Sequence, residues 1–414
     1  MNDTRYELFL NVKYILSIMH KDKSLLAIVL FPFLPFLAFL IACTDLRKRG
    51  NGVVFVLFYG LFGFCHTFED VRADSYRKML DFTNTSSSSL IEIIRDYIDG
   101  DKMDIYQSWL FSWVSKITDN PHVMMMFVGL IGGFFSLLLL RRIMNDYKDS
   151  FNIYVCCILI VISLPISPVQ MGGIRGFTAL AVFSYAALKF IVDQKNIWII
   201  PILCTPLIHF GYFVMVGAAI IIRIIPIKHN LLFWPVILAC IASLFLDTSS
   251  WSGITGDVDT YIDNDAISYR TNHYADSDTD AEFNKSLTNK ILDIQNKVIA
   301  CFIAILLIYL KRNWHRFKHT TYSTHIYNYM LFFLFIGFTL ISFSVVGQRY
   351  LYFGTIMICM YLLILYNQNR ESRVKRIITM LPIVFLGNIA WTIYNSYYNT
   401  GIDIYIKTLP QLLL

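Results

Sequence analysis

Apolar runs of roughly 20 residues recur along the whole chain, and they constrain its fold more strongly than any other feature of the sequence. A helix needs about 20 residues to cross a bilayer, whereas a barrel strand needs about 10 residues that alternate in polarity. Only 15% of the 414 residues are charged, compared with about 25% in soluble domains. The sequence therefore predicts an all-α, polytopic integral membrane protein.

The apolar runs predict about 12 transmembrane helices, with a range of about 10–14, in a single transmembrane domain that comprises residues 1–414. The segment 197–225 is too long for one untilted helix and short for two, and Pro201 and Pro206 interrupt it. We therefore expect two short helices there, which meet near His209. The other predicted membrane spans are 24–44, 51–68, 122–140, 151–167, 174–192, 230–246, 293–310, 326–345, 350–366 and 377–396.

Lysine and arginine residues should mark the cytoplasmic side of the membrane, because loops rich in them stay in the cytoplasm. Their positions are mutually consistent if 197–225 leaves the cytoplasmic side and returns to it, which places His209 near the outer surface. The net charge of +6 thus belongs to the loops and does not indicate nucleic-acid binding. The basic clusters are Arg47-Lys48-Arg49, Arg141-Arg142, Lys189 with Lys195, Arg223 with Lys228, Lys311-Arg312 with Arg316 and Lys318, and Arg370 with Arg373, Lys375 and Arg376.

Two long polar segments are then expected on the extracytoplasmic side. Residues 69–120 contain mixed polar and apolar stretches that predict short helices. Residues 247–290 form an acidic loop, and its scarcity of lysine and arginine favours the same side of the membrane.

Arg175 stands among three glycines at the start of an apolar run, and Arg349 stands just before another. A charge at the centre of a span costs roughly 2.5–3.5 kcal/mol, so each arginine is expected to have a compensating partner. Glycine lets another molecule approach the backbone, and a helix N-terminus attracts anions. Both arginines are therefore candidates to bind one phosphate-bearing headgroup. The alternative is that each extends to the interface or pairs with a loop carboxylate.

Two further residues are candidates for proton chemistry. His209 can donate a hydrogen bond to a phosphate or a sugar hydroxyl, and its pKa is ordinarily near neutrality. Asp74 follows the second predicted span, where a carboxylate at the outer surface can remove a proton from a sugar hydroxyl. The alternatives are a hydrogen-bonded packing histidine and a solvated loop aspartate.

Asp104 is a candidate for sugar binding, because Trp109 and Trp113 follow it closely and offer stacking surfaces. Aromatic anchoring in the membrane interface explains the two tryptophans equally well.

No metal site and no cofactor are expected. The acidic stretch 276–280 resembles a calcium loop, but Ala281 replaces the turn glycine and Leu287 stands in place of the bidentate glutamate. Asp257-Val258-Asp259 is a weak match to the acidic motif of nucleotide-sugar enzymes, and an outward loop would not meet nucleotide sugars. The chain has no Walker loop, dinucleotide glycine fingerprint or serine-hydrolase elbow.

The order and spacing of these motifs over residues 24–367 resemble the EpsG-like branch of the Wzy polysaccharide polymerases. The most specific matches are the helix opening around Arg175 and the apolar-histidine segment 207–210. The other matches are Asp74-Ser75-Tyr76, Asp104-Ile105-Tyr106 and Arg349-Tyr350. The chain departs from the family pattern at three positions: Ala73 replaces a glycine, Gly176 replaces a glutamine, and Arg72 precedes Asp74 by only two residues.

The resemblance implies a glycosyltransferase that joins oligosaccharide repeat units carried on undecaprenyl diphosphate, on the outer side of the bacterial inner membrane. The products would be O-antigen, capsule or exopolysaccharide, and partners could include a flippase and a chain-length regulator. The implied roles are catalysis by Asp74 and His209, lipid-diphosphate binding by Arg175 and Arg349, and sugar contacts from Arg72, Tyr76, Asp104 and Tyr350.

Two other functions stay open at this point. One is a flippase or another transporter of lipid-linked oligosaccharide. The other is a different lipid-phosphate-dependent glycosyltransferase, such as an O-antigen ligase, which would share the phosphate chemistry and differ in its acceptor.

Overall fold

The computed structural model describes residues 23–69, 74–84, 88–99, 102, 104–147, 151–225, 229–245, 287–341 and 344–413. Within these ranges every element of regular structure is a helix, so the predicted all-α class is confirmed. The predicted acidic loop 247–290 lies outside the described residues except for 287–290. The acidic motifs 257–259 and 276–280 lie outside them entirely.

The α-helices are connected mostly by short turns. They are α1 Lys23–Leu30, α2 Pro35–Cys43, α3 Arg49–Phe64, α4 Asp74–Thr83, α5 Leu90–Ile98, α6 Tyr106–Ser115, α7 Pro121–Met144, α8 Ile153–Ser163, α9 Ile174–Ala187, α10 Ile199–Ile208, α11 Phe213–Ile224, α12 His229–Ser243, α13 Leu287–Arg312, α14 Thr321–Thr339, α15 Ser344–Asn369, α16 Ser372–Val384, α17 Leu386–Thr400, α18 Asp403–Ile406 and α19 Leu409–Leu413. The π-helical segment Leu188–Val192 extends α9, and 3-10 turns lie at Pro168–Gly172, Asn196–Trp198, Phe210–Tyr212 and Trp314–Arg316.

Fewer helices reach spanning length than the sequence led us to expect. By length and hydropathy, five described segments can cross a membrane: Pro121–Met144, Ile153–Gly172, Ile174–Val192, Ile294–Arg312 and Gly347–Asn369. A sixth crossing results if α16 and α17, which meet at a bend of 45°, form one span. The chain is thus a multi-pass membrane protein, but the described residues do not confirm the predicted count of about 12 crossings. Several other predicted spans are shorter apolar helices of 10–17 residues, namely Arg49–Phe64, Asn196–Ile208, Phe210–Ile224 and Leu231–Ser243.

The predicted span 24–44 is two short helices in the structure. α1 has 8 residues and α2 has 9, with a turn between them and Pro35 at the start of α2. At 1.5 Å per residue each helix extends only about 12–14 Å, which is less than half of a hydrocarbon core of about 30 Å. Both helices pack on α3: Phe39 stacks on Phe58 with ring centroids 4.3 Å apart, and Ser24 adjoins Gly50.

The predicted break within 197–225 is confirmed. α10 ends at Ile208, His209 has extended dihedrals of φ −153° and ψ 114°, and a 3-10 turn leads into α11. Near the end of α11, Arg223 donates to Asn196 Oδ1 at 3.1 Å, beside the start of α10. The two short helices therefore leave one end of the bundle and return to it.

That end also gathers the predicted basic loops, and we call it the basic end. Arg142 Nη1 lies 2.9 Å from Asp146 Oδ1, Arg142 Nε lies 2.9 Å from Asp193 Oδ2, and Lys189 Nζ lies 3.0 Å from the same Asp193 oxygen. Tyr322 of α14 donates to Asp146 Oδ2 at 2.8 Å. Burial tends to raise the pKa of Asp193, but the hydrogen bonds from Arg142 and Lys189 outweigh it and hold that pKa below its ordinary value. The network joins α7, α9 and α14 into one body.

Helices α3 and α7 pack with their backbones almost in contact, because glycines face the partner helix. A Cβ added to Gly63 would overlap the carbonyl oxygen of Met125, and one added to Gly129 would overlap the carbonyl oxygen of Tyr59. Small residues are the usual means of close helix packing in membranes, where lipid supplies no hydrophobic drive between helices.

The same face of α7 receives α9. A Cβ on Gly132 would overlap the ring of Phe177, and that ring lies 6.5 Å from the ring of Tyr59 in a stacked arrangement. Since Arg175 is only two residues before Phe177, this packing sets the position of the arginine relative to α3 and α7.

We predict that Gly129→Ala lowers the thermal unfolding midpoint of the detergent-solubilised protein, with a loss of about 1–3 kcal/mol. The new methyl group meets backbone of α3, which cannot move aside as a flexible side chain can. The matched control is Gly217→Ala in α11, where an added Cβ meets nothing within 4 Å. That control should be neutral or stabilising, because alanine favours a helix over glycine by about 1 kcal/mol. Equal midpoints for the two variants would contradict the close α3–α7 contact.

Candidate functional site

The start of α9 is open on the side of the preceding turn. The 3-10 turn Pro168–Gly172 leads to Gly173, which caps α9 without a side-chain hydrogen bond. A Cβ on Gly172 would meet no described atom within 4 Å, and one on Gly173 would meet only Gln170 O, at 3.7 Å. Arg175 is the second residue of α9, so its helix offers an uncapped N-terminus beside open space, a setting that favours anions.

Asp104 is the partner of Arg175. Arg175 Nη1 lies 2.7 Å from Asp104 Oδ2, and the side chains are 19% and 5% exposed, respectively. The next residue, Ile105, donates its backbone N–H to Leu207 O at 2.9 Å. The segment before α6 is thus tied both to the start of α9 and to the end of α10. A charge-assisted bond in such a half-buried setting is stronger than one between exposed groups.

Tyr106 adds a second tie between α6 and α9. Thr178 Oγ1 donates to the Tyr106 hydroxyl at 3.3 Å, one turn after Arg175. Burial raises the pKa of Tyr106 to about 12, although the hydrogen bond with Thr178 lowers it, so the phenol stays protonated at neutral pH.

His209 lies at the break between α10 and α11, beside the first turn of α9. Its Nδ1 accepts a hydrogen bond from the Gly211 N–H at 3.1 Å. In the neutral ring that bond assigns the hydrogen to Nε2, which is then a donor. A Cβ on Gly176 would lie 3.8 Å from His209 Cδ2, so the imidazole and the Arg175 helix are neighbours.

Arg349 reaches the same turn from α15. A Cβ added to Gly211 would overlap Arg349 Nη1. Glycine at 211 therefore lets the guanidinium lie against the backbone next to His209. The α9 backbone next to Arg175 thus adjoins His209 at Gly176, and the Arg349 guanidinium adjoins the same turn at Gly211.

The charge of this cluster is unbalanced. Arg175 has Asp104 as its counter-ion, whereas no carboxylate within the described ranges lies at ion-pair distance from Arg349. Over the part of the chain that the structure describes, no group of three or more His, Cys, Asp and Glu side chains could hold a metal ion. A guanidinium without a described counter-ion beside His209 and Gly211 is a setting that favours an anion.

Two tyrosines beside Arg349 are fully buried. Tyr350 and Tyr212 both have 0% exposure, and the Tyr212 hydroxyl has no hydrogen-bond partner among the described residues. The Tyr212 ring lies 6.1 Å from the His209 ring. Tyr350 was expected to contact sugar, but in this conformation a sugar can reach it only after the surrounding helices separate. Tyr212 was not singled out from the sequence, although its place three residues after His209 was a usable signal.

The other predicted site residues are not joined to this cluster by any described contact. Tyr76 is half-buried in α4, which packs through Phe82 on Phe111 of α6 with ring centroids 5.6 Å apart. Asp74 begins α4, but its side chain is outside what the structure describes. Arg72 lies outside the described residues altogether.

A buried histidine near this end of the bundle was also not predicted from the sequence. His66 is 1% exposed and neither ring nitrogen has a hydrogen-bond partner within the described part of the chain. Its ring contacts that of Phe68, which contacts that of His122 at 5.2 Å. The adjacent Thr67 donates its N–H to Asn399 O at 2.6 Å, so this loop is fixed to the end of α17.

We predict a favourable coupling between Asp104 and Arg175 of about 1–2 kcal/mol in a double-mutant cycle. Asp104→Ala, Arg175→Ala and the double variant would be compared by thermal unfolding in detergent. Either single change removes one charge of a partly buried ion pair, so the double variant should lose less than the sum of the two.

The control cycle uses Lys407 and Asp403, an ion pair at 2.6 Å whose side chains are 42% and 48% exposed. Its coupling should stay below about 1 kcal/mol, as is usual for surface pairs. Strictly additive losses at Asp104 and Arg175 would mean that the pair does not form in the protein.

A family model described as the EpsG family matches residues 51–406, which is more than four fifths of the chain. The match includes Asp104, Arg175, His209 and Arg349, and it confirms the resemblance stated from the sequence. A search of curated proteins and a search of solved structures each find no significant match.

Proposed function

The chain belongs to the EpsG family, and we propose on that basis that it polymerises oligosaccharide repeat units carried on undecaprenyl diphosphate. Membership supports the coarser part, a polysaccharide polymerase of the membrane with glycosyltransferase-like activity. The observation that supports the finer part is that the start of the Arg175 helix and the Arg349 guanidinium both adjoin the His209–Gly211 turn. Among the described residues of this cluster, guanidinium groups outnumber carboxylates. We place this site on the outer side of the bacterial inner membrane.

In the proposed reaction the bond between the anomeric carbon of the donor sugar and the diphosphate oxygen breaks, and its electron pair leaves with the lipid diphosphate. A hydroxyl of the acceptor repeat unit forms the new glycosidic bond and loses its proton to a base. Arg175 and Arg349 stabilise the charge that develops on the departing oxygen, together with the uncapped N-terminus of α9. No metal or cofactor is required for this chemistry.

His209 and Asp74 have separate roles in the proposed reaction. Because His209 Nδ1 already accepts from Gly211, its Nε2 is suited to donate a hydrogen bond to the diphosphate or to a sugar hydroxyl. Asp74 is then the proposed base. Its place at the start of α4 puts it in the same 69–120 segment as Asp104.

Asp104 has a different role in this proposal. It holds the Arg175 guanidinium in place at 2.7 Å before the donor arrives, and it is displaced from part of that contact when the diphosphate binds. Sugar contacts are left to Arg72, Tyr76 and, after the helices separate, Tyr350. A flippase and a chain-length regulator are the proposed partners in the cell.

The first test replaces each arginine with alanine in cells that lack the native gene. Arg175→Ala and Arg349→Ala should each abolish long polymer and leave single repeat units, because each removes transition-state stabilisation of roughly 3 kcal/mol, or about a hundredfold in rate. The matched control is Arg223→Ala, since this arginine lies at the basic end and bonds to Asn196. Normal polymer length and yield in both site variants would rule out the assignment.

Purified protein with lipid-linked repeat units separates the rival functions. A ladder of longer products indicates a polymerase, a single addition indicates a simple transferase or ligase, and movement across vesicles without bond formation indicates a transporter.

The second test displaces Arg349 without removing any functional group. Gly211→Ala should lower polymer yield at least tenfold, because the new methyl group occupies the place of Arg349 Nη1. Gly217→Ala, at an open position of α11, is the control and should leave yield unchanged. If Gly211→Ala retains full yield while Arg349→Ala does not, the guanidinium acts from a position other than the one described.

A further inference from the structure

Helix α5, Leu90–Ile98, has three distinct faces. At 100° per residue, Ile93 and Tyr97 lie on the face that packs on the protein, and Ile93 is buried. The polar face carries Glu92, Arg95, Asp96 and Asp99. Between the two lies a third face of about 100° that is apolar and exposed, formed by Leu90, Ile91, Ile94 and Ile98.

The exposed apolar face is a large one for so short a helix. Ile91 and Ile98 are 73% and 74% exposed. Scattered single apolar residues are normal on protein surfaces, but a contiguous set rimmed by polar residues marks an interaction site. We therefore expect another molecule to cover this face.

The helix is fixed locally, so the face is not the product of a frayed end. Ser89 forms a complete capping box: Glu92 N–H donates to Ser89 Oγ at 3.2 Å, and Ser89 N–H donates to Glu92 Oε2 at 2.7 Å. Ser112 of α6 donates to Ser88 O at 2.5 Å, just before this cap. The start of α5 is thus anchored to α6.

Helix α6, to which α5 is anchored, has an exposed apolar surface of its own that adjoins a helix long enough to span the membrane. Trp109 and Trp113 of α6 stack with ring centroids 6.4 Å apart and an interplanar angle of 12°, and both are exposed. Trp113 also packs edge-on against Phe127 of α7, at 5.0 Å. α7 is one of the segments long and apolar enough to cross the bilayer. Tryptophan is enriched where such helices meet the headgroups.

We propose that α5 lies in the plane of the membrane interface, at the end of the bundle where α7 begins, with its apolar face in the acyl boundary of the bilayer. Its occupant is phospholipid. The polar face then points to water, as in other amphipathic helices that lie on a membrane without crossing it.

The charges of α5 define the mode of attachment. Its polar face has three acidic residues and one basic residue, the reverse of helices that bind anionic lipid. Attachment therefore comes from burial of the apolar face, and it needs neither anionic headgroups nor low salt.

This attachment sets the depth of the candidate site relative to the membrane surface. α5 is tied to α6, and α6 begins two residues after Asp104, the partner of Arg175. The membrane surface thus becomes a reference plane for the Asp104–Arg175 pair. The inference does not depend on the reaction proposed above.

The test introduces a benzophenone-bearing amino acid into the full-length protein at Ile91 or Ile98. Matched controls carry it on the polar face at Glu92 or Asp99. Each variant is reconstituted in phosphatidylcholine vesicles, irradiated and analysed by mass spectrometry. Lipid adducts should be at least tenfold more abundant at 91 and 98 than at 92 and 99, with no change in 0.5 M salt (roughly a fourfold shorter Debye length than in 0.03 M salt).

Three outcomes would overturn the proposal. They are equal lipid adducts on both faces, adducts at 91 and 98 with a second copy of the chain, and adducts there with residues 1–22 or 246–286 of the same chain. A variant whose thermal unfolding midpoint shifts is replaced by the probe at Ile94, with Arg95 as its control. Ile94 lies on the exposed apolar face, and Arg95 lies on the polar face.

Discussion

Hydrocarbon cannot hydrogen-bond to a peptide group, so a chain that stops being helical among membrane helices must find partners within the protein. The break at His209 meets this condition. His209 N–H donates to Thr205 O, His209 O accepts from Tyr212 N–H, and Leu207 O accepts from Ile105 N–H. The last of these bonds is the one that brings the Asp104 segment to Arg175. Assembly of the site is thus a consequence of satisfying the backbone at one interruption.

The sequence predicted those features that depend on local chemistry. Two prolines and a lone histidine indicated the interruption at His209, and the basic clusters indicated which ends of the helices meet. It offered pairing with a loop carboxylate as the alternative for Arg175, but it could not identify Asp104 as that carboxylate, because the two are joined only through tertiary packing. The division of 24–44 into α1 and α2 was missed for a related reason. Hydropathy measures only whether a run is apolar, whereas Pro35 and packing on α3 decide whether it stays one helix.

The two ends of the bundle differ in how their charges are arranged. At the basic end, Arg142 and Lys189 share Asp193, and Arg142 also contacts Asp146, so cations and anions are interlocked. At the other end, Arg349 has no described carboxylate beside it. Uncompensated charge lowers stability, and it is retained where a ligand supplies the missing partner.

The Asp104–Arg175 pair has a consequence for which anions gain entry. A carboxylate bonded to Arg175 is a tethered competitor at high local concentration. A small anion in solution loses its translational freedom when it binds, and it carries only one or two charges at a single centre. Its binding free energy is therefore too small to displace Asp104. The lipid diphosphate of the proposed reaction would instead diffuse in two dimensions and offer two phosphoryl groups to the two arginines. In the proposed reaction, Asp104 would therefore favour binding of a lipid diphosphate over binding of inorganic phosphate.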